Sequence, residues 1–171
     1  MGEVGPPRPL AENDNRQTFD CGRESLNYWF RRHAWRNQRD GLSRTTVLVD
    51  EENGAVAAYV SLCTAEVARE FLPKAEQRNR PDPIPAMLLG HLAVDGRYQG
   101  RQYARSLIVL SFQTVVRLSV ETGCYCLLTD PLDEEVRAFY RHFDFRDLPF
   151  DRNRRMFVKI ADLARNGFAP N

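Results

Sequence analysis

Ala86-Met87-Leu88-Leu89-Gly90-His91-Leu92-Ala93-Val94 passes through Asp95-Gly96-Arg97-Tyr98 into Gln99-Gly100-Arg101-Gln102-Tyr103-Ala104, and the fold turns on this stretch. Its first part is nearly all apolar, which suits a central strand covered on both faces. Its last part opens a long helix over residues 101–122, where Ala104, Leu107, Ile108, Ser111, Val115 and Leu118 make one stripe. A strand that runs through a glycine-containing turn into a helix is suited to anions. The first amides of a helix lack internal partners, and the helix dipole adds partial positive charge there. Gly100 lets the backbone come close, Ala104 keeps the second turn slim, and Arg97, Arg101 and Arg105 add charge. A diphosphate is the natural occupant. From the turn alone, an ordinary loop stays open beside that reading.

Outward from this stretch the pattern is regular. Residues 1–20 are rich in Pro and polar groups and hold one short strand near residues 8–10. Residues 25–39 predict a helix with Leu26, Phe30, His33, Ala34 and Asn37 on one side and Trp29 at its margin, stopped by Gly41 and Ser43. Residues 45–50 and 55–63 are β-branched or apolar runs joined by Glu51-Glu52-Asn53-Gly54, a strong hairpin signal. Residues 69–85 are charged and closed by Pro81, Pro83 and Pro85. They allow a short helix around 71–77 and force extended chain before Ala86. Gly123 ends the long helix, and residues 124–129 read as a short buried strand. Asp133 can cap a helix bearing Val136, Phe139, Tyr140 and Phe143, and residues 156–160 read as a last strand. The order is βαββ, a Pro-rich connection, then βαβαβ. One α+β domain over residues 1–171, with a core of about 8–162, a central mixed and mostly antiparallel sheet and flanking helices, is the expected architecture.

Composition excludes several classes. The 171 residues carry a formal net charge of +1, so any nucleic-acid contact must come from a local patch. No apolar run approaches the roughly 20 residues of a membrane span, and no membrane partner is expected. The first residues lack a basic start followed by an apolar stretch, so no secretory signal is expected and a cytoplasmic location follows. The four cysteines, Cys21, Cys63, Cys124 and Cys126, lack paired C-x-x-C spacing. They read as small, reduced, buried residues, with no metal expected.

His91-Leu92-Ala93-Val94-Asp95-x-x-Tyr98-Gln99-Gly100 resembles motif A of the GNAT superfamily, whose pattern is Q/R-x-x-G-x-G/A. More narrowly, six further stretches resemble the TacT-type toxins that acetylate aminoacyl-tRNA. They are Phe19-Asp20-Cys21-Gly22, Ser25-Leu26, Arg36-Asn37-Gln38, Ser43-Arg44-Thr45, Pro81-Asp82-Pro83-Ile84-Pro85, and Ala138-Phe139-Tyr140 followed by Phe145. They stand in order and cover residues 19 to about 160. The resemblance implies a GNAT fold and acetyl-CoA as co-substrate. It implies that the strand backbone at Leu92, Ala93 and Val94 pairs with the pantetheine arm, and that Gln99, Gly100, Arg101, Gln102, Tyr103 and Ala104 hold the pyrophosphate. One position departs from the family. Gln102 stands where the pattern has glycine. A glutamine can take helical angles and keep the turn, while its side chain crowds the phosphates.

Spacing alone makes Tyr140 a core aromatic. The resemblance makes it the general acid that protonates the CoA thiolate, with an oxyanion donor in the backbone at Leu92 or its neighbour. No strong base is evident. An α-amine titrates near 7.7–8.0 and a lysine near 10.4, so a site without a base suits an α-amino acceptor. Glu66, Glu70 and Asp95 read as solvated carboxylates, and His33 and His91 as packing or supporting residues. Arg32, Arg36 and Arg39 fall in one sector of the first helix beside Trp35 and Tyr28, a pattern for phosphate and base contact. A solvated helix face explains the same arginines equally well. Lys74, Arg78 and Arg80, and Arg152, Arg154 and Arg155, could extend the patch. The leading expectation is an acetyltransferase toxin acting on aminoacyl-tRNA, with a ribbon-helix-helix antitoxin implied by the resemblance and a homodimer left open. Its rivals are a GNAT enzyme for a protein or small-molecule amine, and a catalytically silent binding module resting on Gln102.

Overall fold

A computed structural model of the chain describes residues 2–168. Strands β1 (Arg8–Pro9), β2 (Arg44–Val49), β3 (Val56–Val67), β4 (Ile84–Val94), β5 (Cys126–Thr129), β6 (Arg146–Asp147) and β7 (Met156–Lys159) form one sheet, in the order β1-β2-β3-β4-β5-β7-β6. The pairs β1–β2, β2–β3, β5–β7 and β6–β7 are antiparallel, and β4–β5 is parallel. The helices are α1 (Glu24–Arg32), α2 (Ala34–Arg39), α3 (Lys74–Gln77), α4 (Tyr103–Glu121), α5 (Glu134–His142) and α6 (Ile160–Leu163). The α+β class and the mixed, mostly antiparallel sheet match the sequence expectation. Packing divides the chain into two compact units, Met1–Cys63 with Gly90–Ser111 and Thr64–Leu89 with Phe112–Asn171.

In the first unit the hairpin turn forms as expected. Gly54 takes φ +72°, Asn53 Oδ1 accepts from Ala55 N at 2.8 Å, and Asp50 Oδ1 accepts from Glu52 N at 2.9 Å. The core gathers Phe19, Phe30, Val47, Val56, Tyr59 and Ala93. Tyr59 stacks on Phe30 with ring centroids 4.2 Å apart, and its hydroxyl donates to Leu26 O at 2.9 Å. The helix expected over residues 25–39 is broken at His33, whose φ of −119° separates α1 from α2. Its buried face also differs, comprising Asn27, Phe30, Ala34 and Gln38. Two amides displace the expected Leu26, His33 and Asn37, because the side-chain oxygen of each accepts a backbone N–H inside the fold. Asn27 Oδ1 accepts from Cys21 N and its Nδ2 donates to Asp20, while Gln38 Oε1 accepts from Thr45 N at 2.7 Å.

β4 is longer than expected, starting at Ile84, and it is not covered on both faces. Leu89 and Ala93 are buried, whereas Met87, Leu88, Leu92 and Val94 are half-buried. The parallel ladder with β5 ends at the pair Leu89↔Thr129, where β5 itself ends. Among the described residues, the stretch from Gly90 to Val94 therefore has no β5 partner for its backbone. α4 buries Leu107, Ile108, Ser111, Phe112, Val115 and Val116, so Phe112 and Val116 replace Ala104 and Leu118 of the expected stripe.

In the second unit Val67, Leu72, Ile84, Leu128, Leu148 and Phe157 form a core. The short helix expected near 71–77 splits into a 3-10 turn, Arg69–Phe71, and α3. Pro73 lies between them. Glu76 on α3 accepts from Arg146 Nη2 and pairs with Lys159 Nζ, each at 3.0 Å, which ties α3 to β6 and β7. β6 was not expected, since two exposed polar residues on an edge carry no strand pattern. Asp133 caps α5 as expected, accepting from Val136 N at 2.9 Å, a contact worth about 1 kcal/mol.

Candidate functional site

The turn after β4 is built on two buried carboxylates. Asp95 caps a 3-10 turn, Gly96–Tyr98, and accepts from Arg97 N at 3.0 Å, Asp20 N at 3.0 Å and Arg97 Nε at 2.9 Å. Burial pushes its carboxyl up, but these bonds outweigh burial and hold it below the usual carboxylate range. Asp95 is thus a brace, not the solvated carboxylate expected from sequence. Tyr98 is buried and its hydroxyl donates to Asp50 Oδ2 at 2.6 Å. That bond keeps the Asp50 carboxyl ionised at lower pH than usual.

Gln99 uses its side chain inward, donating from Nε2 to Val94 O at 3.0 Å and to Cys21 O at 3.2 Å. Only its backbone is therefore left to meet a phosphate. Gly100 has φ +79° and Gln102 has φ +68°, both in the left-handed region. The helical angles expected at Gln102 are thus corrected. Left-handed geometry is where a family glycine costs nothing and a glutamine costs about 1–2 kcal/mol. The turn nevertheless forms, because Gln102 O accepts the first internal bond of α4 from Ser106 N at 3.0 Å and a second from Ser106 Oγ at 3.2 Å. The amides of Tyr103, Ala104 and Arg105 precede that first bond. Gln99, Gly100, Arg101 and Gln102 are exposed, and Tyr103 and Ala104 half-buried. Arg97 is committed to Asp95, and the Arg101 guanidinium stands 5.9 Å from the Tyr98 ring.

Upstream in β4, Leu92 and Val94 are half-buried while the Ala93 side chain joins the core, so at Ala93 only the backbone is available to a ligand. His91 stacks on Trp29 at 3.7 Å and 12°, with Nδ1 3.2 Å from Ser61 Oγ. Burial, with a smaller push from His33, drives its imidazole down to about 4. It is neutral at pH 7 and a weak base.

In the same unit Arg32, Arg36 and Arg39 are exposed and Trp35 is half-buried against the core. The break at His33 places Arg32 on α1 and the other two on α2. Arg36 Nη2 lies 3.0 Å from His33 Nδ1, and Arg39 Nε is 2.9 Å from Asp40 Oδ1. Three arginines of the second unit are engaged locally. Arg80 lies over the Tyr125 ring, Arg154 pairs with Glu134, and Arg155 with Asp151. Lys74 lies 5.4 Å from the centre of the Phe150 ring.

Tyr140 lies in the second unit on α5, 5% exposed, with Phe139 and Phe145 edge-on at 5.4 and 5.2 Å. Burial pushes its phenol up to about 12, against a hydrogen bond with Thr129 that pulls it down. It is fully protonated at neutral pH, the state an acid needs. One turn earlier on α5, Arg137 is buried. It donates to Asp147 Oδ1 at 2.7 Å and to Arg154 O at 2.8 Å, which pins the helix that carries Tyr140. Arg137 and Thr129 escaped sequence reasoning. An arginine within a charged helix reads as surface, and the only signal at Thr129 is a hydroxyl closing an apolar strand. All four cysteines are free, and among the described residues no three His, Cys, Asp or Glu side chains gather to hold a metal. Among those residues, no helix is long and apolar enough to cross a membrane.

Comparison with known proteins gives this geometry a family. The sequence model of the acetyltransferase (GNAT) family matches residues 10–145. A tRNA-acetylating toxin of Mycobacterium tuberculosis is 34% identical over 151 residues, 88% of this chain and 90% of the relative. AtaT complexed with acetyl-methionyl-tRNAfMet aligns with a TM-score of 0.87 at 27% identity, over 96% of this chain and 99% of that one. AtaTR bound with AcCoA aligns with a TM-score of 0.82 at 28% identity, over 94% and 96%. A left-handed turn opening a long helix, a β4 that outruns β5, and a match over most of the chain agree, and the chain belongs to the GNAT acetyltransferase family.

Proposed function

We propose that this protein is a toxin of a toxin–antitoxin system that moves an acetyl group from acetyl-CoA to the α-amine of aminoacyl-tRNA and so blocks translation. The observation that carries the reading is Tyr140, a buried phenol on the helix where the resemblance expects an acid. The relatives support the substrates. One is a tRNA-acetylating toxin, and two aligned structures contain acetyl-methionyl-tRNA or AcCoA.

In this mechanism the Gln99–Ala104 turn takes the diphosphate on its exposed backbone and on the first amides of α4. The backbone of Leu92, Ala93 and Val94 takes the pantetheine amides, and an amide at Leu92 or its neighbour stabilises the oxyanion. The neutral α-amine attacks the thioester carbonyl. As the C–S bond breaks, its electron pair goes to sulfur, and the Tyr140 hydroxyl gives its proton to that sulfur. The surplus proton on nitrogen leaves to water, and water returns one to the Tyr140 phenolate. Asp95 serves as a brace, and His91 holds a proton too weakly to store one taken from an ammonium near 8. An α-amine, partly neutral at working pH, needs no stronger base. Arg32, Arg36 and Arg39 with Trp35 supply the tRNA contact. A cytoplasmic location and an antitoxin partner follow from this activity.

The test is acetyl transfer from labelled acetyl-CoA to charged and uncharged tRNA by the parent and by Tyr140→Phe. We expect label on the charged tRNA alone. In the variant kcat should fall by about 10²–10⁴-fold, with acetyl-CoA binding by calorimetry unchanged. Label appearing only in protein overturns the acceptor, and parental turnover by the variant overturns the acid.

A further inference from the structure

Tyr98 is the last residue before the turn that takes the diphosphate. It is buried, and its hydroxyl is held from two sides. It donates to Asp50 Oδ2 at 2.6 Å and accepts from Asn53 Nδ2 at 3.4 Å. Asp50 and Asn53 both belong to the hairpin between β2 and β3, and Asp50 is fixed there by its own bonds. Its Oδ2 also accepts from Gly2 N at 3.1 Å, its backbone N donates to Ala55 O at 2.9 Å, and its carbonyl accepts from Gly54 N at 2.8 Å. Beyond Tyr98 the chain is exposed from Gln99 to Gln102, with left-handed angles at Gly100 and Gln102. Exposed residues gain little from packing, so the shape of such a turn depends on how its two ends are anchored. One end runs into α4. At the other end stands the Tyr98 side chain, whose ring also has the Arg101 guanidinium 5.9 Å from its centre.

We propose that Asp50 is a positioning residue for the acetyl-CoA diphosphate. Through the Tyr98 hydroxyl it ties the turn to the β2–β3 hairpin and keeps the turn ordered before the co-substrate arrives. The inference rests on the reading of Gln99–Ala104 as the diphosphate turn. A turn already ordered in the free protein gives up less freedom on binding, so the tie acts on affinity and leaves the chemical step alone.

The test uses the full chain with charged tRNA and two acetyl donors, acetyl-CoA and acetyl-pantetheine. The second carries the thioester and the arm without the diphosphate. The variants are Tyr98→Phe, Asp50→Asn, the double variant and Gly100→Val. Phenylalanine keeps the ring and removes the hydroxyl. We expect Tyr98→Phe to raise the KM for acetyl-CoA about tenfold, the lower end of what one hydrogen bond to a charged group carries. Its kcat should stay within about twofold, since only ground-state binding is lost. ADP, a diphosphate without the arm, should inhibit Tyr98→Phe about tenfold less well than the parent, for the same reason. Turnover of acetyl-pantetheine should match the parent's, which a general loosening of the fold would not allow. Asp50→Asn should follow the same pattern, and the double variant should lose no more than the larger single one, because both act through one bond. Gly100→Val puts a β-branched residue at φ +79° and disturbs the turn directly, so it too should raise the KM for acetyl-CoA. A parental KM in Tyr98→Phe, a fall in kcat alone, or an equal loss with both donors overturns the role of Asp50 and leaves the diphosphate reading standing. A parental KM in Gly100→Val overturns the diphosphate reading and this inference with it. Should Tyr98→Phe fail to fold, Asp50→Asn carries the same comparison.

Discussion

Gln102 stands where the motif that the turn resembles has glycine, and replacing it with glycine separates two effects that the glutamine joins. Gln102 sits at φ +68° while its carbonyl begins α4. A residue with a Cβ gives up about 1–2 kcal/mol in that region, and glycine gives up nothing there. Glycine in turn loses about 0.5–1 kcal/mol through the greater freedom of its unfolded chain. The net expectation for Gln102→Gly is a gain of about 0.5–1 kcal/mol. For a chain of 171 residues that is about 1–4 °C in Tm. Gln102→Ala is the control, because it removes the same side-chain atoms and keeps the Cβ. Urea denaturation of parent, Gly and Ala variants should therefore rank Gly above Ala, while the parent and Ala lie together. Calorimetric titration with acetyl-CoA reads the second effect. If the glutamine side chain crowds the phosphates, both variants bind tighter by the same factor. An Ala variant as stable as the Gly variant would falsify the backbone argument, whatever the affinities do.

Two further outcomes follow from the same residues. His91 is held at about 4 against 6.5 in the unfolded chain, so the unfolded chain takes up a proton that the folded one refuses. Stability therefore falls as pH drops from 6.5 towards 4, by roughly 3 kcal/mol in all. His91→Asn should flatten that window in denaturant melts at pH 7 and 4.5, and a slope equal to the parent's would show that other groups carry it. Changing Arg32, Arg36 and Arg39 to Glu should weaken charged-tRNA binding and reduce the slope of log K against log salt. Each lost phosphate contact removes about 0.9 from the slope. Arg39 should contribute least, since Asp40 already holds its Nε at 2.9 Å; an unchanged slope would move the tRNA contact elsewhere.

Every strand but β6, the hairpin at Asn53-Gly54, the capped helix after Asp133 and the motif A turn are legible in the chain, because each depends on neighbours a few residues away. An apolar run, an Asn-Gly pair or an Asp before an apolar period makes the same backbone in any context. The distributed family motifs also make Tyr140 the expected acid, where periodicity alone assigns it to the core. Other features depend on partners far away in sequence. Asp95 reads as a surface carboxylate until Asp20 arrives at its side, and Asp50 meets Tyr98 across 48 positions. Asn27 and Gln38 look like solvent-facing amides, yet they are buried because the loop at Cys21 and the strand at Thr45 use their oxygens. Arg137 reads as surface until Asp147 and the Arg154 carbonyl take its guanidinium. Local spacing determined which elements form and which family they resemble. Tertiary structure decided which polar groups are desolvated and paired, because desolvation depends on everything that packs around a group and on no short stretch of sequence.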